Sequence, residues 1–117
     1  MLYNKEWDRP QINPIADLLN RAANLIETRG HTKYELVSRS GAMCFMGALN
    51  EAMGSRHIHK GFEDAALATC KWLGISKGDG FRDVNVVINW NNAPERTGQE
   101  VIDVMRQTAH NLVKENA

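Results

Sequence analysis

Ala42-Met43-Cys44-Phe45-Met46-Gly47-Ala48-Leu49-Asn50-Glu51-Ala52-Met53 is apolar almost all the way round a helical wheel. A surface helix must show one polar face to water, so a helix of this kind has to be enclosed by other elements. The run is also much too short to cross a bilayer. The spacing therefore predicts an internal helix over 42–53, with amphipathic neighbours supplying the walls. Gly47 and Ala48 would let a neighbouring backbone come close, the glycine at about 1 kcal/mol of helix propensity relative to alanine.

Three stretches qualify as walls. Asn13-Pro14 opens a helix well: asparagine caps it, and proline sits at the first position, where its missing N–H is not needed. Ile15, Leu18, Leu19, Ala22, Leu25 and Ile26 then form one stripe, with Asp17 four residues before Arg21 on the wet side. Gly30 closes this helix, 14–29, as a left-handed C-cap. A second helix, 62–73, carries Phe62, Ala65, Ala66, Thr69, Cys70 and Leu73 on one face. Glu63 and Asp64 lie in its first turn and Gly74 lies just past its end. A third, 98–114, begins with a reciprocal capping box: Thr97 accepts from the N–H three residues on, and Glu100 reaches back to the N–H of Thr97. Gly98 weakens its first turn slightly. Val101, Ile102, Met105, Thr108, Ala109, Leu112 and Val113 face inward, with Lys114 at the negative end of the dipole.

The connections read less clearly. From His31 to Ser40 the pattern is weak, with Tyr34, Leu36 and Val37 expected to anchor a short extended or turn-like link. Ser55–Lys60 reads as a polar surface loop bearing His57 and His59, and Ser76–Gly80 as a flexible connection. Asp83–Trp90 reads as a strand by its β-branched content or as a short helix capped by Asp83. The helix is preferred, because no partner strand of similar quality exists to satisfy a ladder. Residues 1–12 read as an irregular arm, since Pro10 forbids a helix there. Its Leu2, Tyr3 and Trp7 want a surface to cover, on their own domain or on a second copy or partner. The expected architecture is an all-α single domain over 13–117, with four main helices around the central one.

A chain of 117 residues suits one domain able to bury a core without disulfides. Lys and Arg number 14 and Asp and Glu number 14, so no global field draws in a phosphate backbone or an anionic membrane. Lys71, Lys77 and Arg82 form the only local basic cluster, and it is thin. Cys44 and Cys70 both fall in apolar patterns and suggest no disulfide framework. The first residues lack a signal-peptide pattern and no segment is long enough to span a membrane, so a cytoplasmic protein is expected.

Gly30, then Cys44-Phe45-Met46-Gly47-Ala48-Leu49, then Trp90-Asn91-Asn92-Ala93-Pro94-Glu95-Arg96-Thr97 make up a combination that resembles a known family. It is similar to small helical domains, a domain-of-unknown-function family, found in actinobacteria and the phages that infect them. The resemblance runs over about residues 15–114. Such proteins typically read Cys-x-x-Gly-Ala-Leu and Trp-Asn-Asp-x-Pro-Gly-Arg-Thr; here Asn92 replaces the acidic residue and Glu95 the glycine. A tryptophan often follows the first glycine, where this chain has His31. The resemblance implies a helical fold and a phage or mobile-element origin, and no activity.

Cys44 is the candidate nucleophile, near a helix start that would lower a thiol pKa. A cysteine-dependent hydrolase or transferase would also need a base and an orienting group; His31, His57 and His59 are candidate bases and Asn91 a candidate orienter. A buried packing cysteine is the favoured reading, so no catalytic residue is assigned. No Cys-x-x-Cys pair suggests zinc, and Lys77-Gly78-Asp79-Gly80 lacks the full phosphate-binding pattern. No metal or cofactor is expected. Trp90, Asn91, Asn92 and Arg96 are either a corner that braces a neighbouring helix end or a polar recognition patch in which Arg96 meets an anionic group. The function this suggests is a phage-like accessory protein that binds a host or self-encoded protein without catalysis, with self-association through the arm as a further option.

Overall fold

The computed structural model describes residues 13–54 and 60–115. The expected arm over 1–12 and the loop histidines His57 and His59 lie outside them. Five helices and no β-strand occur among the described residues: α1 Pro14–Arg29, α2 Phe45–Met53, α3 Gly61–Leu73, α4 Gly80–Asn92 and α5 Gly98–Glu115. α1 lies along α5 and α3 along α4, while α2 packs against α1 and also meets α3 and α4. The all-α architecture is thus as expected, with a full fifth helix added. No helix among the described residues is long and apolar enough to cross a membrane.

α2 is the internal element. Phe45, Met46, Gly47, Ala48, Leu49 and Met53 are all buried, and they meet Leu19, Ala22 and Ile26 of α1 and Ala65, Ala66 and Val87 in one core. The helix starts at Phe45, however, three residues later than its composition suggests. Residues 42–44 are extended instead, and Met43 forms single bridges to His31 and Val37. The N–H of Met43 donates to Gly30 O at 2.9 Å, and Thr32 N–H donates to Met43 O at 3.1 Å. Apolar character reported burial here, which an extended segment satisfies as well as a helix does.

Gly30 corrects in the same way. Its φ of 102° and ψ of 168° are positive-φ extended backbone rather than a left-handed helical cap. The chain leaves α1 straight into the pairing with Met43, and only glycine adopts that conformation readily. The caps of α1 and α5 follow the sequence closely. Asn13 Oδ1 accepts from the N–H groups of Ile15 and Ala16. Thr97 and Glu100 bond reciprocally at 3.1 and 2.9 Å. The Thr97 N–H, with Arg96 assisting, holds the Glu100 carboxyl below the usual range. Arg106 ties α5 to α1 through Glu27 at 2.8 Å and Asn24 at 2.9 Å.

α4 is longer than expected and differently capped. Asp79, not Asp83, provides the N-cap by accepting from Phe81 N–H at 2.9 Å. Asp83 is fully buried and accepts from Ser76 Oγ at 2.6 Å and Lys77 N–H at 2.7 Å. The glycine-rich link that reads as flexible is therefore pinned from within. The strand alternative for 83–90 falls away, because the whole segment lies inside helix α4, Gly80–Asn92.

The link from His31 to Cys44 lies across the start of α2 at very short range. A Cβ built on Gly47 would stand 2.0 Å from the carbonyl oxygen of Leu36, an approach no side chain permits. That oxygen cannot retreat, because it accepts the N–H of Cys44 at 3.1 Å. Gly47→Ala is expected to cost about 3 kcal/mol, the upper end for overpacking. Chemical denaturation checks this; a midpoint equal to that of the parent chain would show that the link does not lie against α2.

Candidate functional site

The link from α1 to α2 is held by polar contacts. Tyr34, Leu36 and Val37, expected as apolar anchors, are 77, 56 and 47 % exposed. The end of α4 does the holding instead. Lys33 Nζ donates to the carbonyl oxygens of Ala93 at 2.7 Å and Pro94 at 3.1 Å. Tyr34 donates its N–H to Asn92 Oδ1 at 3.0 Å and its hydroxyl to Asn92 O at 3.2 Å. These bonds keep Tyr34 at a φ of 67°, a left-handed conformation uncommon for an aromatic residue.

Asn91 sits behind that link, only 1 % exposed. Its Oδ1 accepts from Phe45 N–H, the first N–H of α2, at 3.1 Å, and its Nδ2 donates to Thr32 O at 3.3 Å. These two backbone partners fix which way the amide points. The same Oδ1 lies 2.8 Å from His31 Nε2. Since that oxygen only accepts, His31 must carry its proton on Nε2. The ring is pressed by the start of α5, where a Cβ on Gly98 would stand 2.7 Å from His31 Cβ. Gly98 thus serves close packing rather than merely weakening a helix turn.

The corner brings together Trp90, Asn91, Asn92 and Arg96, the residues singled out by sequence. Arg96 stacks 4.3 Å from the Trp90 ring centre, donates through Nε to Trp90 O at 3.0 Å, and pairs with Glu100 at 3.3 Å. Its side chain is only 16 % exposed. Asn92 Oδ1 also accepts from Asn91 Nδ2 at 3.0 Å. Both polar atoms of the Asn91 amide, and Nε and one terminal nitrogen of Arg96, bond this protein's own backbone and side chains. What faces outward is the link they carry, beside a hollow of about 300 Å³ lined by Tyr34, Leu36, Met46 and Ile88.

Cys44 borders that hollow and is 8 % exposed. It is the N-cap of α2, with its Sγ accepting from Gly47 N–H at 3.3 Å. Sequence placed His31, Asn91 and Cys44 in one candidate group. The structure joins His31 to Asn91, but no hydrogen bond links His31 to Cys44 among the described residues. Cys70 is buried outright and donates to Asp83 O at 3.6 Å. Burial first, and then the nearby Asp83 charge, push its thiol up to about 12. Among the described residues no three His, Cys, Asp or Glu side chains are grouped to hold a metal ion. Lys33 and Tyr34 were missed as positioning groups, and nothing local in the sequence marks them, since their partners stand about sixty residues away.

The described residues thus form an all-α arrangement of five helices with a braced, outward-facing link. The chain belongs to a family described as a family of unknown function, DUF6197, which it matches over residues 10–111. No curated protein and no solved structure matches it.

Two outcomes follow from the corner. Asn91→Ala strands the Phe45 N–H, the Thr32 carbonyl and the His31 ring nitrogen, so unfolding free energy should fall by about 3 kcal/mol with an unchanged denaturant slope. Retained stability would show that water replaces the amide. Thiol labelling of the folded chain between about pH 7 and 9 should leave both cysteines inert until denaturant is added. For Cys70 the raised pKa lowers the thiolate fraction at every pH in that window. Fast native labelling of Cys44 would replace the capping role with a reactive one.

Proposed function

We propose that this is a non-catalytic, phage-like accessory protein that works in the cytoplasm by binding a host or self-encoded protein, and that the link from α1 to α2 is its contact surface. The single observation that carries this reading is the display of Tyr34, Leu36 and Val37 toward solvent on a link held at Lys33, Tyr34 and Leu36, the last lying against Gly47 of α2. Adjacent exposed apolar side chains on a fixed segment mark interaction sites more often than scattered ones do. Fixing the segment beforehand removes ordering entropy that binding would otherwise have to overcome. On this reading Trp90, Asn91 and Arg96 position the surface from behind, while Asn92 and Tyr34 form its polar rim. The phage-like part rests on the resemblance to phage-borne domains, and the cytoplasmic part follows from it, since a phage-encoded protein is made in the host cytoplasm.

Leu36→Ser with Val37→Ser tests the reading, because both side chains are exposed and contribute little to the core. Stability should stay within about 0.5 kcal/mol of the parent chain, while the yield of proteins that the immobilised parent chain captures from host lysate should fall at least about tenfold. Recovery of the same partners in equal yield would remove this surface from the function.

A further inference from the structure

α3 and α5 leave a groove between them that shares no lining residue with the hollow beside Tyr34. Leu67, Ala68 and Trp72 line it from α3, Thr108 and Leu112 line it from α5, and it holds about 460 Å³. Trp72 is 44 % exposed, so part of a large ring is left uncovered there. At Thr108 the hydrogen bonding is unfinished. A threonine inside a helix can return its hydroxyl to the carbonyl four residues back. Thr28 does so to Asn24 O, and the buried Thr69 does so to Ala65 O, each at 2.8 Å. Thr108 is 1 % exposed, yet its Oγ1 has no hydrogen-bond partner among the described residues. A buried hydroxyl without a partner destabilises the chain that carries it, and an apolar side chain of the same shape would avoid that loss.

We propose that this groove binds a small uncharged aromatic molecule carrying a hydroxyl or carbonyl oxygen, with that oxygen meeting Thr108 Oγ1 and the ring lying against Trp72, Leu67 and Leu112. Its volume is in the range of small-molecule sites, which pair a mostly apolar lining with a few placed polar groups. Thr108 is the placed polar group, and its hydroxyl is free to donate or accept. The apolar lining and the open indole favour a flat aromatic body, which packs on such a ring in an offset or edge-on arrangement. The oxygen that meets Thr108 is uncharged, because a charge carried to that depth would lose its hydration and find only a neutral hydroxyl in return. Asp64, Lys71 and Glu115 line the groove as well, but all three are exposed and stand at its rim. Nothing at this groove depends on the surface around Tyr34.

Titration of the full chain with β-naphthol near neutral pH, followed by nuclear magnetic resonance, tests the assignment. Saturable binding with a Kd below about 1 mM is expected, shifting the Thr108 methyl and the Trp72 indole N–H. Weaker binding, or shifts that leave those two residues unmoved, would overturn it. Thr108→Val keeps the side-chain shape and removes the hydroxyl. It should raise the folding equilibrium constant about fivefold while weakening β-naphthol about tenfold. A fall in folding stability would show that the hydroxyl already has a partner in the free chain, and unchanged affinity would show that no ligand meets it; either result overturns the assignment. β-Naphthoate, the same ring system with a carboxylate in place of the hydroxyl, should bind at least about tenfold more weakly than β-naphthol. Equal or tighter binding would overturn the uncharged class.

Discussion

A helix that begins inside a protein has N–H groups that water cannot reach, and each must find an acceptor or destabilise the fold. α2 begins that way. Asn91 answers for Phe45 and Cys44 Sγ answers for Gly47, so the start of the innermost helix depends on a side chain from the far end of α4. Because the same amide also engages Thr32 and His31, one buried group fixes three segments relative to one another. A carboxamide suits the position because it offers an acceptor and donors without bringing a net charge into the interior.

The arrangement recurs at the opposite end of α4. Asp83 is buried and gathers the link from α3 to α4 through Ser76 and Lys77, as Asn91 gathers the link from α1 to α2. Helices α3 and α4 pack through ordinary apolar contacts, which are non-directional and would tolerate several loop paths. Directional bonds to buried polar side chains select one path each. The molecule thus combines a non-specific apolar core with two polar latches, and the latch at Asn91 is the one that leaves apolar side chains facing outward.

Local patterns were legible in the sequence because their causes are local. Asn13-Pro14 and Thr97 with Glu100 act within four residues, and both caps form as their spacing implies. The burial of 45–53 was legible because no other arrangement hides so many apolar side chains. The extended state of 42–44 was not, since burial is common to helix and strand. The extent of α4 was obscured by Gly78, Asp79 and Gly80, which read as a loop until Asp79 is seen capping and Asp83 is seen turned inward. Tyr34, Leu36 and Val37 were misjudged because hydrophobicity alone cannot distinguish an anchor from a displayed side chain. The partners that decide the matter lie on α4, far along the chain.

The positions where this chain departs from the pattern it resembles are also explained by the corner. Asn92 uses its side-chain oxygen to accept from Tyr34 and Asn91. An aspartate there would accept the same two bonds, so an acidic residue and an asparagine support one geometry. Glu95 stands where a glycine is usual, yet it is exposed and has no positive φ, so the turn into α5 does not require glycine. At residue 31 the need is for one ring N–H aimed at Asn91 Oδ1. His31 meets that need with its proton on Nε2.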